Sequence, residues 1–384
     1  MTRETKVQGT TAPGYEAVRD EFTRVLAGEK PDHAAQLSAF VRGEQVVDLW
    51  VGPDTDGDTL FGVYSSTKGA AHLVMALLVQ DGTLELDREV AHYWPEFGGQ
   101  GKDGITLREL LSHRAGVVGT DGGFSPEEVA DDRAIAARLA AQRPYWRPGT
   151  AFGYHALSVG ALAGEVVFRA TGHTLQEVYE ERVRAPFGLD FFLGLPEALE
   201  PRFRSVLPAI PSPSERALVD AQPPQPDTLN SIAFNRNGPH PADLESLPNS
   251  RLVRAKGPAS VGGVASARGL AMMYAAAVGG LDGREPLLKP DTVAEVGQIH
   301  SNGFDLVARA HKSYGVGFQN VAEAWHPFLG AGTIGHRGVG GSQAFADPRS
   351  GLAYGYTRRR FPFPGSPAPE EERLVRAVHT AAVT

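Results

Sequence analysis

Apolar residues recur at helical spacing from Gly14 to Glu29 and then alternate from His33 to Val51 around Gly43, so the chain is predicted to open with an amphipathic helix and a β-hairpin. From Ser65 to Gln80 the apolar residues leave few polar interruptions, the pattern of a helix buried on most faces, with Asp81-Gly82 as its C-cap. Thr106 and Glu109 have the spacing of a capping box. Further helices are predicted at about 126–142 and 155–171, which makes the middle of the chain mainly helical. Residues 208–250 are rich in Pro, Asn and Ser with little periodicity and read as a long excursion flanking a pocket. Ser266 then caps a helix to Ala277 that Gly279-Gly280 closes, and from Tyr314 to Tyr356 Gly-punctuated alternating segments resume as strands. A last helix is predicted from about Pro369 to Ala381. No internal repeat is visible.

Sheet at both ends with helices between them predicts an α+β fold, an antiparallel sheet flanked by helices and built from both chain ends. The expected division is a sheet domain of residues 1–60 and 255–384 and a helical domain of 61–254 that carries the irregular loop 208–250. A length of 384 residues with 42% hydrophobic content is enough for two such lobes. The net charge is -8 and the Lys and Arg residues are dispersed, which argues against a nucleic-acid or anionic-membrane partner. The densest basic run, Arg358 to Arg360, reads as a solvated strand end. With no Cys there is no disulfide framework, thiolate metal site or cysteine nucleophile. Neither a signal-like apolar run at the N-terminus nor a stretch of about 18 apolar residues occurs, so a cytoplasmic protein is expected. No H-E-x-x-H or comparable spacing occurs among the 12 His, so neither a metal nor another cofactor is expected.

Three segments are suited to chemistry. Ser65-Ser66-Thr67-Lys68 puts a hydroxyl and an amine one helical turn apart at a helix start, where the amine can hold the hydroxyl proton and the helix terminus favours a nearby oxyanion. Alone, an S-x-x-K pattern is weak. The second segment, Trp146 to Ala156, runs through a Pro-Gly turn and a Gly to Tyr154 at the start of a helix. The third, Gly335 to Ser342, clusters glycines that let a strand backbone approach a ligand.

At these segments the chain resembles the serine β-lactamase and penicillin-binding-protein superfamily, and within it the family VIII carboxylesterases that look like class C β-lactamases. FGVYSSTKGAAHLVMALLVQDGTLELD, ITLRELLSHRAGV, WRPGTAFGYHALSVGALAGEVVFRATGHTL and IGHRGVGGSQAFADPRSGLAYGY fall in the family's order and rough spacing, from about residue 15 to 360. The resemblance implies that Ser65 is the nucleophile, Lys68 its motif lysine, and Tyr154 the tyrosine of the Y-x-N element. It implies that His336-Arg337-Gly338 is the K-T-G element and that the backbone N–H groups of Ser65 and Val339 form the oxyanion pair. His336, Gly338 and Ala156 are then expected to bind substrate.

Two departures from the lactamase pattern bear on substrate. Ala156 stands where Y-x-N has Asn, and His336 replaces the Lys of K-T-G with a group that titrates near neutrality. Both point toward a hydrolase of short-chain carboxylic esters that forms an acyl-enzyme on Ser65. An acyltransferase of the same fold, a weak class C-like β-lactamase and a non-catalytic penicillin-binding-type protein are the alternatives. Lys68 and Tyr154 would each need a depressed pKa to act as base, and burial together with each other's charge is expected to supply it. The sequence does not choose between them, nor does it fix the oligomeric state. His113 is expected to bond backbone near a helix end and His155 to point away from Tyr154, while Tyr145, Trp146 and Phe152 suit a core or a pocket wall equally.

Overall fold

A computed structural model of the chain describes residues 6–30, 32–221, 225–363, 368 and 370–384. Pro369, the expected start of the final helix, lies outside them, as do residues 222–224 of the 208–250 excursion and the first five residues. β1 (Gln8–Thr11) and α1 (Glu16–Leu26) precede the expected hairpin, β2 (Ala35–Val41) and β3 (Glu44–Val51). Arg42 and Gly43 join those strands with φ of 51° and 84°, the two-residue turn whose twist matches the strands it connects.

Three two-residue strands, β4 (Phe61–Gly62), β5 (Phe191–Phe192) and β6 (Val264–Ala265), form a small sheet in the order β4-β6-β5. The C-terminal part supplies β7 (Ser301–Asp305), β8 (Ala310–Tyr314), β9 (Gln319–Asn320), β10 (Ile334–Arg337), β11 (Gln343–Asp347) and β12 (Leu352–Arg358). With the first three strands they make one nine-stranded sheet in the order β1-β3-β2-β12-β11-β10-β9-β8-β7. β12 lies antiparallel to β2, with Leu352 opposite Val41 and Arg358 opposite Ala35, so the two chain ends close the sheet as expected for this α+β fold. The final helix, Glu371–Val383, packs with α1 on one face.

α2 (Thr67–Gln80) is the central helix, and every residue from Thr67 to Leu78 is buried. Its Leu73, Val74, Leu77 and Leu78 join the main core with the helix Ser158–Thr171, each contributing about 2 kcal/mol by burial. The capping box at Thr106 and Glu109 is formed in both directions. Among the described residues, no helix is long and apolar enough to cross a membrane.

Several expectations need correction. The helix expected over 126–142 is two, Pro126–Val129 and Asp132–Ala141, because Asp131 interrupts it and accepts from the N–H groups of Arg133 and Ala134 as a new N-cap. The 208–250 excursion contains helices at Pro213–Asp220 and Leu229–Ala233. Arg358 and Arg360 are not a solvated strand end. Arg358 is buried and bonds Glu370 at 2.6 Å and Glu29 at 3.0 Å, while Arg360 bonds Asp32 at 2.5 Å. These acids come from both chain ends, so no local window of sequence displays the pairing.

Six histidines, His33, His72, His113, His155, His326 and His336, are buried. Burial lowers the pKa of each: His33 and His72 to about 3, His155 and His326 to about 4, His113 and His336 well below the ordinary value. On unfolding they return to ordinary values and take up protons below about pH 6.5, so acid favours the unfolded chain. Asp132 and Glu371 act oppositely, since burial raises them to about 6 and about 7. The imidazoles outnumber these two carboxyls and Asp305, which burial also raises, so unfolding near pH 5 carries a net uptake of protons and stability falls as the pH falls. The urea midpoint should therefore fall steeply between pH 6.5 and 5, and an unchanged midpoint would contradict these neutral imidazoles.

Candidate active site

The chain bends sharply into α2. Tyr64 has φ of 48°, a left-handed conformation rare for a bulky side chain, and Tyr64–Ser66 form a single 3-10 turn before Thr67. Such strain costs about 1–3 kcal/mol and persists only where the surroundings fix it. Here the Tyr64 hydroxyl donates to the Glu245 carbonyl at 3.0 Å, and the Thr67 hydroxyl donates to the Tyr64 carbonyl. The Ser66 hydroxyl bonds the Ser342 hydroxyl at 3.0 Å, and Ser342 donates to the Val63 carbonyl at 2.7 Å. With its neighbours tied down, Ser65 alone of the three serines lines the cavity.

One turn on, Lys68 Nζ lies 3.2 Å from Ser65 Oγ, 2.7 Å from the Ala156 carbonyl and 2.8 Å from the Ser260 carbonyl. The side chain is fully buried, and burial holds its pKa well below the usual lysine range, with Asp132 opposing part of the shift. A neutral amine has two N–H donors and one lone pair. The two carbonyls take the donors, which leaves the lone pair for the Ser65 hydroxyl.

Tyr154 packs its ring 5.0 Å from Lys68 Nζ, and its N–H donates to Asp305 Oδ1 at 3.1 Å. Its hydroxyl is buried without a well-formed hydrogen bond among the described residues, beside Ser65. Burial raises its pKa, with Ser65 offsetting part of the rise. The expectation that burial would depress both groups therefore holds for Lys68 only. Desolvation disfavours whichever form is charged, and for tyrosine that is the deprotonated one.

His336 lies on β10 with its ring 6.0 Å from Tyr154, and its Nδ1 donates to the Arg337 carbonyl at 2.8 Å. Burial, and then the nearby Lys68, push its pKa well down, so it does not titrate near neutrality as its residue type suggests. Neither His336 nor Ala156 lines the cavity; both lie behind its wall, and Ala156 contributes the carbonyl that holds Lys68. His113 accepts from the His155 N–H at 3.1 Å, the backbone role expected of it, and His155 bonds the Gly153 carbonyl and the Val117 N–H. Tyr145, Trp146 and Phe152 join a side cluster of apolar residues and do not line the cavity.

The cavity has a volume of about 400 Å3 and is open to solvent, with Ser65, Tyr154, Gly338 and Val339 in its wall. Gly338 to Gly341 form a tight turn in which the Gly341 N–H donates to the Gly338 carbonyl at 2.9 Å. Val339 sits inside that turn, so the turn does not use its N–H. Asn230 and Phe234, from the 208–250 excursion, form another part of the wall, in keeping with its expected place beside a pocket. Sequence reasoning missed Asp305, Lys312, Tyr314 and Trp325, of which the last three line the cavity. Tyr314 stacks parallel to Tyr154 at 6.2 Å and donates to Asp305 Oδ2 at 3.1 Å, so one carboxylate holds both tyrosines. The one sequence signal for this group is the Tyr-Gly-Val-Gly run that begins at Tyr314.

Residues 26–378 match the Beta-lactamase family model. The chain belongs to the Beta-lactamase family. It is 42% identical to EstA from Arthrobacter nitroguajacolicus Rue61a, with a TM-score of 0.90 over 98% of this chain and 99% of that one. A family VIII carboxylesterase is 32% identical, with a TM-score of 0.86 over 98% of this chain and 100% of that one. Esterase/beta-lactamase LipL of Mycobacterium tuberculosis is 28% identical over 378 residues, 92% of this chain and 83% of that protein. Within the family, the chain is an esterase-type serine hydrolase.

Proposed function

We propose that the protein hydrolyses short-chain carboxylic esters through an acyl-enzyme on Ser65, at a seam between a sheet domain of residues 1–60 and 255–384 and a helical domain of 61–254. The observation that carries this reading is Lys68 Nζ, fully buried, held by two carbonyls and 3.2 Å from Ser65 Oγ. Ser65 Oγ attacks the ester carbonyl carbon and passes its proton to Lys68. The negative charge that develops on the carbonyl oxygen is met by the N–H groups of Ser65 and Val339. Tyr154, kept protonated by its burial, gives its proton to the departing alkoxide and recovers one from the Lys68 ammonium. Water then attacks the acyl carbon by the same proton path reversed, releasing the acid and restoring Ser65.

This assignment has a sign in pH. Lys68 must be neutral to act, so kcat/KM for 4-nitrophenyl acetate should be lost as pH falls through a single ionisation well below the usual lysine range. A profile that rises only near pH 10 would rule out Lys68 as the base.

Esters are favoured over lactams because the K-T-G position carries a neutral, buried imidazole in place of a cation, and the Y-x-N position carries no amide. An amide is also intrinsically harder to cleave than an activated ester. Short-chain 4-nitrophenyl esters should accordingly be turned over at least about 10²-fold faster than nitrocefin. Comparable rates would promote the β-lactamase reading, and faster turnover with an added alcohol or amine acceptor than in water would promote the acyltransferase one.

A further inference from the structure

One part of the cavity wall has a charge that hydrolysis of a simple ester does not need. Lys312 on β8 and Arg337 on β10 both line the cavity, and Trp325 lies between them, its ring 5.4 Å from Lys312 Nζ and 4.6 Å from the Arg337 guanidinium carbon. Arg337 is paired with Glu371 at 2.6 Å. Lys312 has no ion pair among the described residues. The two acids whose charges reach it are engaged elsewhere: Asp305 accepts from the N–H groups of Tyr154, Val307 and Ala308 and from the Tyr314 hydroxyl, and Glu371 holds Arg337. Among the described residues no Asp or Glu lines the cavity, although the chain as a whole has a net charge of -8.

A half-buried lysine beside a second cation is costly, and burial and Arg337 both act against its charge. Proteins keep such a group where a ligand supplies the missing partner. Its place also separates it from the K-T-G strand, since β9 lies between β8 and β10.

We propose that this wall is a carboxylate subsite and that the enzyme prefers esters carrying an anionic group, with the carboxylate held by Lys312 at the edge of Trp325. This rests on the esterase reading above and names its substrate class. Lys312 would meet the carboxylate in a charge-assisted hydrogen bond, and the Trp325 ring would pack the chain that leads to it.

The test pairs anionic and neutral esters of matched shape: mono(4-nitrophenyl) adipate with 4-nitrophenyl hexanoate for an acyl-side charge, and 4-acetoxybenzoate with 4-acetoxybenzamide for a leaving-group charge. In at least one pair the anionic member should be favoured about 10- to 100-fold in kcat/KM, chiefly through KM, and the ratio should shrink as salt is added. Lys312→Met should collapse the ratio about tenfold or more, whatever the total activity, and Lys312→Arg should retain most of it. Absence of preference in both pairs, or a preference that survives Lys312→Met, would overturn the subsite while leaving the esterase reading in place. If no ester is turned over, the esterase reading falls, and calorimetry with monomethyl adipate decides the subsite. Binding to the wild type that Lys312→Met loses supports it, and absence of binding to the wild type overturns it.

Discussion

Ser65→Ala should lower kcat for 4-nitrophenyl esters by about 10⁴ or more, because among the described residues neither neighbouring serine hydroxyl, Ser66 or Ser342, is placed to take over. Ser66 is bonded to Ser342 and to the His336 carbonyl, and Ser342 donates to Val63, so both are held in the joint between the Tyr64 bend and β10–β11. The substitution removes one atom from a half-buried position and leaves the joint intact. Thermal stability should therefore stay close to wild type, and steady-state kinetics beside a melting curve checks both halves. Retention of more than a few per cent of the activity would remove Ser65 from the mechanism.

Lys68→Ala should lower kcat by about 10² to 10⁴, and it should also destabilise the protein. The carbonyls of Ala156 and Ser260 lose their donor in a buried site, and each unsatisfied group costs about 1–3 kcal/mol unless water enters the space. Tyr154→Phe removes only a hydroxyl that has no well-formed bond, so its loss should fall on kcat alone. The two should not multiply. If Lys68 receives the proton that Tyr154 then replaces, the double variant should be little worse than the poorer single one, whereas multiplicative losses would mean two independent proton paths. Folding of each variant is read by circular dichroism before its rate is compared.

Long periodic segments and local chemistry were legible before the fold was known. The β2–β3 hairpin, the buried α2 and the capping box at Thr106 and Glu109 all follow from spacing within a few residues, and each is present. Illegible elements share a different cause. β1, β4, β5 and β6 are two to four residues long, too short to display a period, and exist because a partner strand from elsewhere completes them. β7 (SNGFD) and β8 (AHKSY) are polar strands at one edge of the large sheet, where the solvent face dominates the pattern. With them the sequence concealed Lys312 and Tyr314, which line the cavity, and Asp305, which accepts from the Tyr154 N–H and the Tyr314 hydroxyl.

Electrostatics was the less readable part of the site. Residue type alone makes His336 a group that titrates near neutrality and Arg358 a solvated cation. Burial keeps the first neutral, and Glu29 and Glu370 take up the second. The same holds for the pair beside Ser65: a single cause, removal from water, drives Lys68 toward its neutral base form and Tyr154 toward its neutral acid form. A spacing of three residues can propose that Ser65 and Lys68 meet, but only the enclosure around them decides which neighbour accepts the proton.

The central claim is covalent. Incubating the enzyme with a fluorophosphonate and mapping the modified peptide by mass spectrometry tests it directly. The account predicts one adduct per chain, on Ser65, forming in step with loss of ester turnover and absent from Ser65→Ala. An adduct on Ser66, Ser342 or Tyr154, or complete inactivation with no adduct on Ser65, would contradict it.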